Sequence, residues 1–128
     1  MTFVAVDQNR ERLTELTRLL LEAFPGSVIY QHTNPLKAPR DVRGNRVDAV
    51  FAQLDPVDPA GAALPHMLHL EKADLPVFLL TDDGQIGGAV PGGHGADCLA
   101  RPISAELLRE SLDRVLRDDV PGLRKACV

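Results

Sequence analysis

Apolar and polar positions along this chain alternate between two patterns. Short, nearly continuous apolar runs read as strands, and stretches with apolar residues three and four apart read as helices. Thr2-Phe-Val-Ala-Val-Asp7 is apolar up to a terminal acid, as expected of a central parallel strand buried on both faces. Leu13, Leu16, Leu20 and Phe24 then recur at helical spacing, with Arg10, Glu11, Arg18 and Glu22 mostly between them. Asn9 or Asp7 is placed to cap this helix and Pro25-Gly26 to stop it. Ser27 to Gln31 is a second strand candidate. Thr33-Asn34-Pro35 opens a helix that Pro39 should shorten or distort and Gly44-Asn45 should end. Val47 to Leu54 reads as the third strand, Asp55 to Gly61 as a loop, and Ala62 to Lys72 as a helix weakened by Pro65. Leu75 to Thr81 is the fourth strand and Ala96 to Ala100 a short fifth. Ser104 caps a final helix whose Leu107, Leu108, Leu112, Val115 and Leu116 should face inward, and Pro121-Gly122 closes the domain.

One segment breaks the alternation. Between the fourth and fifth strands a helix is due, yet Gly84, Gly87, Gly88, Gly92, Gly93, Gly95 and Pro91 crowd residues 82–95. Each interior glycine costs about 1 kcal/mol against alanine and proline about 3 kcal/mol. A loop, or at most one helical turn, is expected there.

Strands alternating with helices imply a parallel sheet with helices on both faces. The expected class is α/β, a doubly wound five-stranded sheet of flavodoxin-like order 2-1-3-4-5, its fourth helix reduced to the Gly-rich loop. Such sheets place their sites at the carboxyl ends of the strands, and Asp7, Gln53, Thr81 and Arg101 all fall there. Residues 1–120 are expected to form one domain and 121–128 a tail or linker stub.

Composition narrows the picture further. The 128 residues suffice for one domain with one real core, and 45% hydrophobic with 25% charged residues is the make-up of a soluble globular protein. A net charge of −4 gives no general nucleic-acid surface, so direct nucleic-acid binding is not expected. No secretory signal and no membrane span is expected, and Cys98 and Cys127 make no disulfide framework, which favours a cytoplasmic location. With Tyr30 the only tyrosine, four Phe and no Trp, small aliphatic residues should fill most of the core.

Several stretches, in order and at matching spacing, resemble the receiver domain of two-component response regulators, from Phe3 to about Leu116. Val4-Ala-Val-Asp7 resembles its first strand and terminal acid, and Thr33-Asn-Pro-Leu-Lys-Ala38 the start of its second helix. Val47-Asp-Ala-Val-Phe51 is similar to the start of its third strand, and Gly61 to the glycine before its third helix. Pro76-Val-Phe-Leu-Leu-Thr81 resembles the fourth strand with its terminal hydroxyl, and Asp97-Cys-Leu-Ala-Arg-Pro-Ile103 the fifth strand with its Lys-Pro ending.

The departures from that family fall on its chemistry. The family's pair of metal-binding acids is here Asp7-Gln8, and its phosphoacceptor aspartate is Gln53. A carboxylate is a nucleophile that forms an acyl phosphate, and a carboxamide is not. Mg²⁺ prefers anionic oxygen ligands, so its binding is expected to be lost or weak. Arg101 stands for the family's lysine, Asp82 for a small residue, and Cys98 for the switch aromatic. Thr81 is retained. The resemblance therefore implies a degenerate, phosphorylation-independent receiver without catalytic activity, acting through a protein partner or homodimer in signal transduction or transcription, with an output domain as one possibility. Arg101 pairing bidentately with Asp7, with Gln53 hydrogen-bonding between them, would satisfy these groups without metal. In the family, the face of the fourth helix, fifth strand and fifth helix mediates such contacts. Here that face would include Cys98 and the loop glycines Gly84, Gly88 and Gly92.

Two alternatives stay open. Asp55, two residues beyond Gln53, is a substitute phosphoacceptor, and the vacated pocket would suit a small-molecule sensor. Other constellations carry less. His66 and His69 are three apart on a helix, but no zinc-type spacing supports them, and solvent-facing histidines are the expectation. Gly92-Gly-His-Gly95 leads into a strand rather than a helix N-terminus and so lacks the phosphate-binding arrangement. Lys37, Arg40, Arg43 and Arg46 form a basic helix face suited to solvent, an acidic partner or a DNA backbone.

Overall fold

The apolar run after Met1 forms β1 (Thr2–Val6), and α1 (Arg10–Ala23) follows. A computed structural model describes residues 1–53, 59–81 and 96–117 of the chain. The expectations for Asp55, Asp82, the glycines Gly84, Gly88 and Gly92, and the tail 121–128 lie outside the described residues. The remaining elements are β2 (Val28–His32), a 3-10 turn (Pro35–Lys37), α2 (Ala38–Gly44), β3 (Ala49–Gln53), α3 (Pro59–Glu71), β4 (Val77–Thr81), β5 (Ala96–Ala100) and α4 (Ala105–Arg117). The strands form one sheet of order β2-β1-β3-β4-β5, every neighbouring pair parallel. This is the flavodoxin-like arrangement, and it brings the carboxyl ends of all the strands to one edge.

Strand periodicity sorts the core into two layers. Phe3, Ala5, Ala49, Phe51, Phe78 and Leu80 pack against Leu13, Leu16 and Leu20 of α1 and Leu108 and Leu112 of α4. Val4, Val6, Val50, Ala52, Val77 and Leu79 pack against Ala38 and Val42 of α2 and Leu64 and Leu68 of α3. The aromatic side chains are unevenly shared. Phe3 meets Phe24 and Phe51 at 5.2 and 5.7 Å, and Phe51 stacks on Phe78 at 4.9 Å, so all four phenylalanines join on the α1/α4 side. Small aliphatic residues fill the opposite layer, as expected for the core as a whole, with Tyr30 at its margin.

Local signals act where expected, with four corrections. The Asn9 side chain accepts from the Arg12 N–H at 3.0 Å and caps α1, which ends at Ala23 with Phe24 as its C-cap, before Gly26 at φ 84°. The Pro35 segment is split by geometry into a 3-10 turn and a short α2, with Pro39 in the first turn of α2. The third strand starts two residues later than the apolar run, at Ala49; just before it Asp48 meets Thr2 twice, its N–H donating to the Thr2 carbonyl and its carboxylate accepting from the Thr2 N–H, each at 2.7 Å. The third helix starts at Pro59, so Pro59 to Gly61 are not loop: a proline in the first turn loses no helical hydrogen bond. Ser104 caps α4 through the Leu107 N–H at 3.1 Å, but Leu116 is exposed. Leu108, Ser111, Leu112 and Val115 make the inward stripe at 3.6-residue period, and Leu116 lies about a quarter turn outside it. His69 is not solvent-facing either; its Nε2 lies 3.0 Å from the Leu75 carbonyl and joins α3 to the approach to β4.

Candidate functional site at the carboxyl edge of the sheet

Strand parity decides which side chains meet at this edge. Asp7 continues the parity of Phe3 and Ala5, Gln53 that of Ala49 and Phe51, and Arg101 that of Leu99, so all three share the side on which α1 packs. Thr81 has the parity of Val77 and Leu79, which pack on the opposite side. The Asp7 N–H extends the ladder to the His32 carbonyl at 3.2 Å, and the Arg101 N–H extends it to the Thr81 carbonyl at 2.9 Å, fixing both backbones. The Arg101–Pro102 peptide bond is cis.

Asp7 is the centre of the cluster. Its side chain is wholly buried, and two arginines reach it. Arg12, from the first turn of α1, donates Nε to Oδ2 at 3.1 Å and Nη2 to Oδ1 at 3.3 Å. Arg101 donates Nη2 to Oδ2 at 3.4 Å and Nε to Gln53 Oε1 at 2.9 Å. The Asn9 N–H adds a fourth donor, to Oδ1 at 2.9 Å. The expected bidentate pair between Arg101 and Asp7 is thus corrected. The fork belongs to Arg12, and Arg101 instead bridges Asp7 and Gln53 with separate nitrogens, since Gln53 stands on β3 between the strands that carry them.

Gln53 is therefore tied to the cluster by its carboxamide oxygen. Gln8, next to Asp7, is exposed. The Thr81 hydroxyl is buried and has no hydrogen-bond partner among the described residues. Cys98 lies on β5. On the opposite face of the sheet, His32 Nε2 contacts the Asp41 carboxylate, joining the end of β2 to α2. Arg12 and the His32–Asp41 pair were missed from sequence. For Arg12 a signal existed: a cation at the third position of a helix opposes the helix dipole, and an acid stood five residues before it.

Of the comparisons with known proteins, that with solved structures bears on the fold. No protein-family model matches this chain, and no curated protein matches it. Among solved structures, it is similar to a response regulator receiver domain from Clostridium thermocellum (18% identity, TM-score 0.77, covering 91% of this chain and 94% of that one). It is likewise similar to the receiver domain of a sensor histidine kinase from Pseudomonas aeruginosa, which holds a magnesium ion in its active-site cleft (18% identity, TM-score 0.72, covering 91% and 98%). A putative pilus assembly-related protein from Burkholderia pseudomallei is a third (20% identity, TM-score 0.73, covering 91% and 90%). The chain has the receiver-domain fold.

Magnesium, which that fold implies, does not suit the residues described. Gln53 is neutral, Asp7 is engaged by two cations, and no group of three His, Cys, Asp or Glu among the described residues is placed to hold a metal ion. No helix among the described residues is long and apolar enough to cross a membrane.

Proposed function

We propose that this chain is a phosphorylation-independent receiver-type domain that serves signal transduction or transcriptional control by binding a protein partner or a second copy of itself, in the cytoplasm. The reading is carried by Gln53. It ends β3 at the acceptor position of the fold, and its amide oxygen is held by Arg101 Nε at 2.9 Å. A carboxamide in that place has no anionic oxygen to attack a phosphoryl donor. The hydrogen bonds among Asp7, Arg12, Arg101 and Gln53 join β1, α1, β3 and β5 in one arrangement, without a step that needs phosphate. Such a domain presents a constant surface, and its output is set by what binds there.

Intact mass after incubation with acetyl phosphate and Mg²⁺, beside an ordinary receiver domain, tests this. No added phosphoryl mass is the expected result. A phosphorylated species that disappears in Asp55→Asn would overturn it, because the acceptor would then have moved rather than been lost. Light scattering over a concentration series would distinguish a second copy from a different partner.

A further inference from the structure

Both oxygens of Asp7 are fully used. A carboxylate offers about four lone-pair sites. Here Oδ1 accepts from Asn9 N at 2.9 Å and Arg12 Nη2 at 3.3 Å, and Oδ2 accepts from Arg12 Nε at 3.1 Å and Arg101 Nη2 at 3.4 Å. Arg12 supplies two of these contacts in the fork geometry that matches a carboxylate. It does so from the end of α1 where the helix dipole disfavours a cation, a position made tolerable by the buried acid beside it.

We infer that Arg12 is a tethered cation standing where this fold otherwise carries a divalent ion: its guanidinium neutralises Asp7, ties α1 to the strand edge and excludes Mg²⁺. The inference rests on the receiver-type reading of this edge. Magnesium needs oxygen ligands at about 2.0–2.1 Å in an octahedral shell. A guanidinium on both oxygens of the same carboxylate fills that space and repels a second cation. Unlike a metal ion, it cannot be chelated away, and it stays charged at any pH a protein survives. Restoring the missing carboxylates would therefore not restore metal binding while Arg12 is present.

The test uses the whole chain, isotope-labelled, with Mn²⁺ as a paramagnetic probe of backbone amide signals. Four proteins are compared: wild type, Gln8→Asp/Gln53→Asp, and that double variant combined with either Arg12→Ala or Arg12→Gln, each checked for folding by circular dichroism. Saturable broadening around Asp7 is expected only once Arg12 is truncated, with Mn²⁺ affinity at least about tenfold above that of the double variant. The inference is overturned if wild type binds Mn²⁺ saturably at Asp7, or if the double variant binds within about twofold of the triple variants. Should both triple variants fail to fold, the double variant decides alone: saturable binding there overturns the inference, and its absence upholds it. Phosphoryl transfer to Asp55, which would sink the proposed function, is read by mass and leaves this comparison of metal affinities intact.

Discussion

Arg101 spans two strands with one side chain, and its substitution separates charge from geometry. Arg101→Ala removes the donors to Gln53 and one of those to Asp7, while Arg12 and Asn9 still hold the carboxylate. A loss of about 2 kcal/mol is expected, measured by urea denaturation. Arg101→Lys keeps the charge but not the two separate nitrogens that reach Gln53 and Asp7, so it should recover only part of that loss. Thr81 predicts the opposite sign. Its hydroxyl is buried without a partner among the described residues, so Thr81→Val should leave stability unchanged or slightly raised. A clear loss would reveal a hydrogen bond to that hydroxyl. At this scale Asp7, Gln53 and Arg101 were readable from sequence, because apolar runs end visibly and parity then fixes the side. Arg12 was passed over, because a charge just ahead of the first helical leucine looks the same whether it faces water or an acid on the preceding strand, and only its place against the helix dipole told the two apart.

The first turn of α1 shows how an element is fixed by few groups. Asn9 caps the Arg12 N–H while its own N–H is bound by Asp7, so the cap and the buried carboxylate form one unit. Asn9→Ala should cost about 1 kcal/mol and should also loosen Arg12, visible as faster amide exchange at the start of α1. On the other side of the sheet, Arg43 of α2 grips Glu71 of α3 at 2.8 and 3.0 Å. Hydrogen bonding from Arg43 holds the Glu71 carboxyl below the usual carboxylate value, while partial burial pushes the other way. The folded value is thus depressed, so the contribution is complete above the unfolded value, about 4.3, and fades as pH falls through the folded one. Melting curves across the acid range should show that slope in wild type and a smaller one in Glu71→Gln. Element types were readable because short continuous apolar runs differ from apolar residues spaced three and four apart. Ends were less so: Pro59 suits both a loop and a first helical turn, and Leu116 at the margin of the α4 stripe looks apolar whichever way it points.

Across the molecule, the sheet has one aromatic and one aliphatic layer, and the layers should respond differently. Phe51 lies between Phe3 and Phe78 at the centre of the aromatic side. Phe51→Ala should cost about 3–5 kcal/mol, whereas Val50→Ala on the other side should cost less because fewer atoms are removed. Equal midpoints in a denaturant series would contradict that asymmetry. The parallel sheet was readable because alternating strands and helices allow few topologies; the division of aromatics between layers was visible only once parity and register were known. Asp7 belongs to this scale too, since its side chain joins β1, α1 and the end of β5. That bears on genetic dissection of any protein carrying this domain. Asp7→Ala would leave the largely buried Arg101 and the half-exposed Arg12 without the carboxylate between them, at a cost of about 3 kcal/mol. A null phenotype from that allele would report a shortage of folded protein rather than the loss of a functional group.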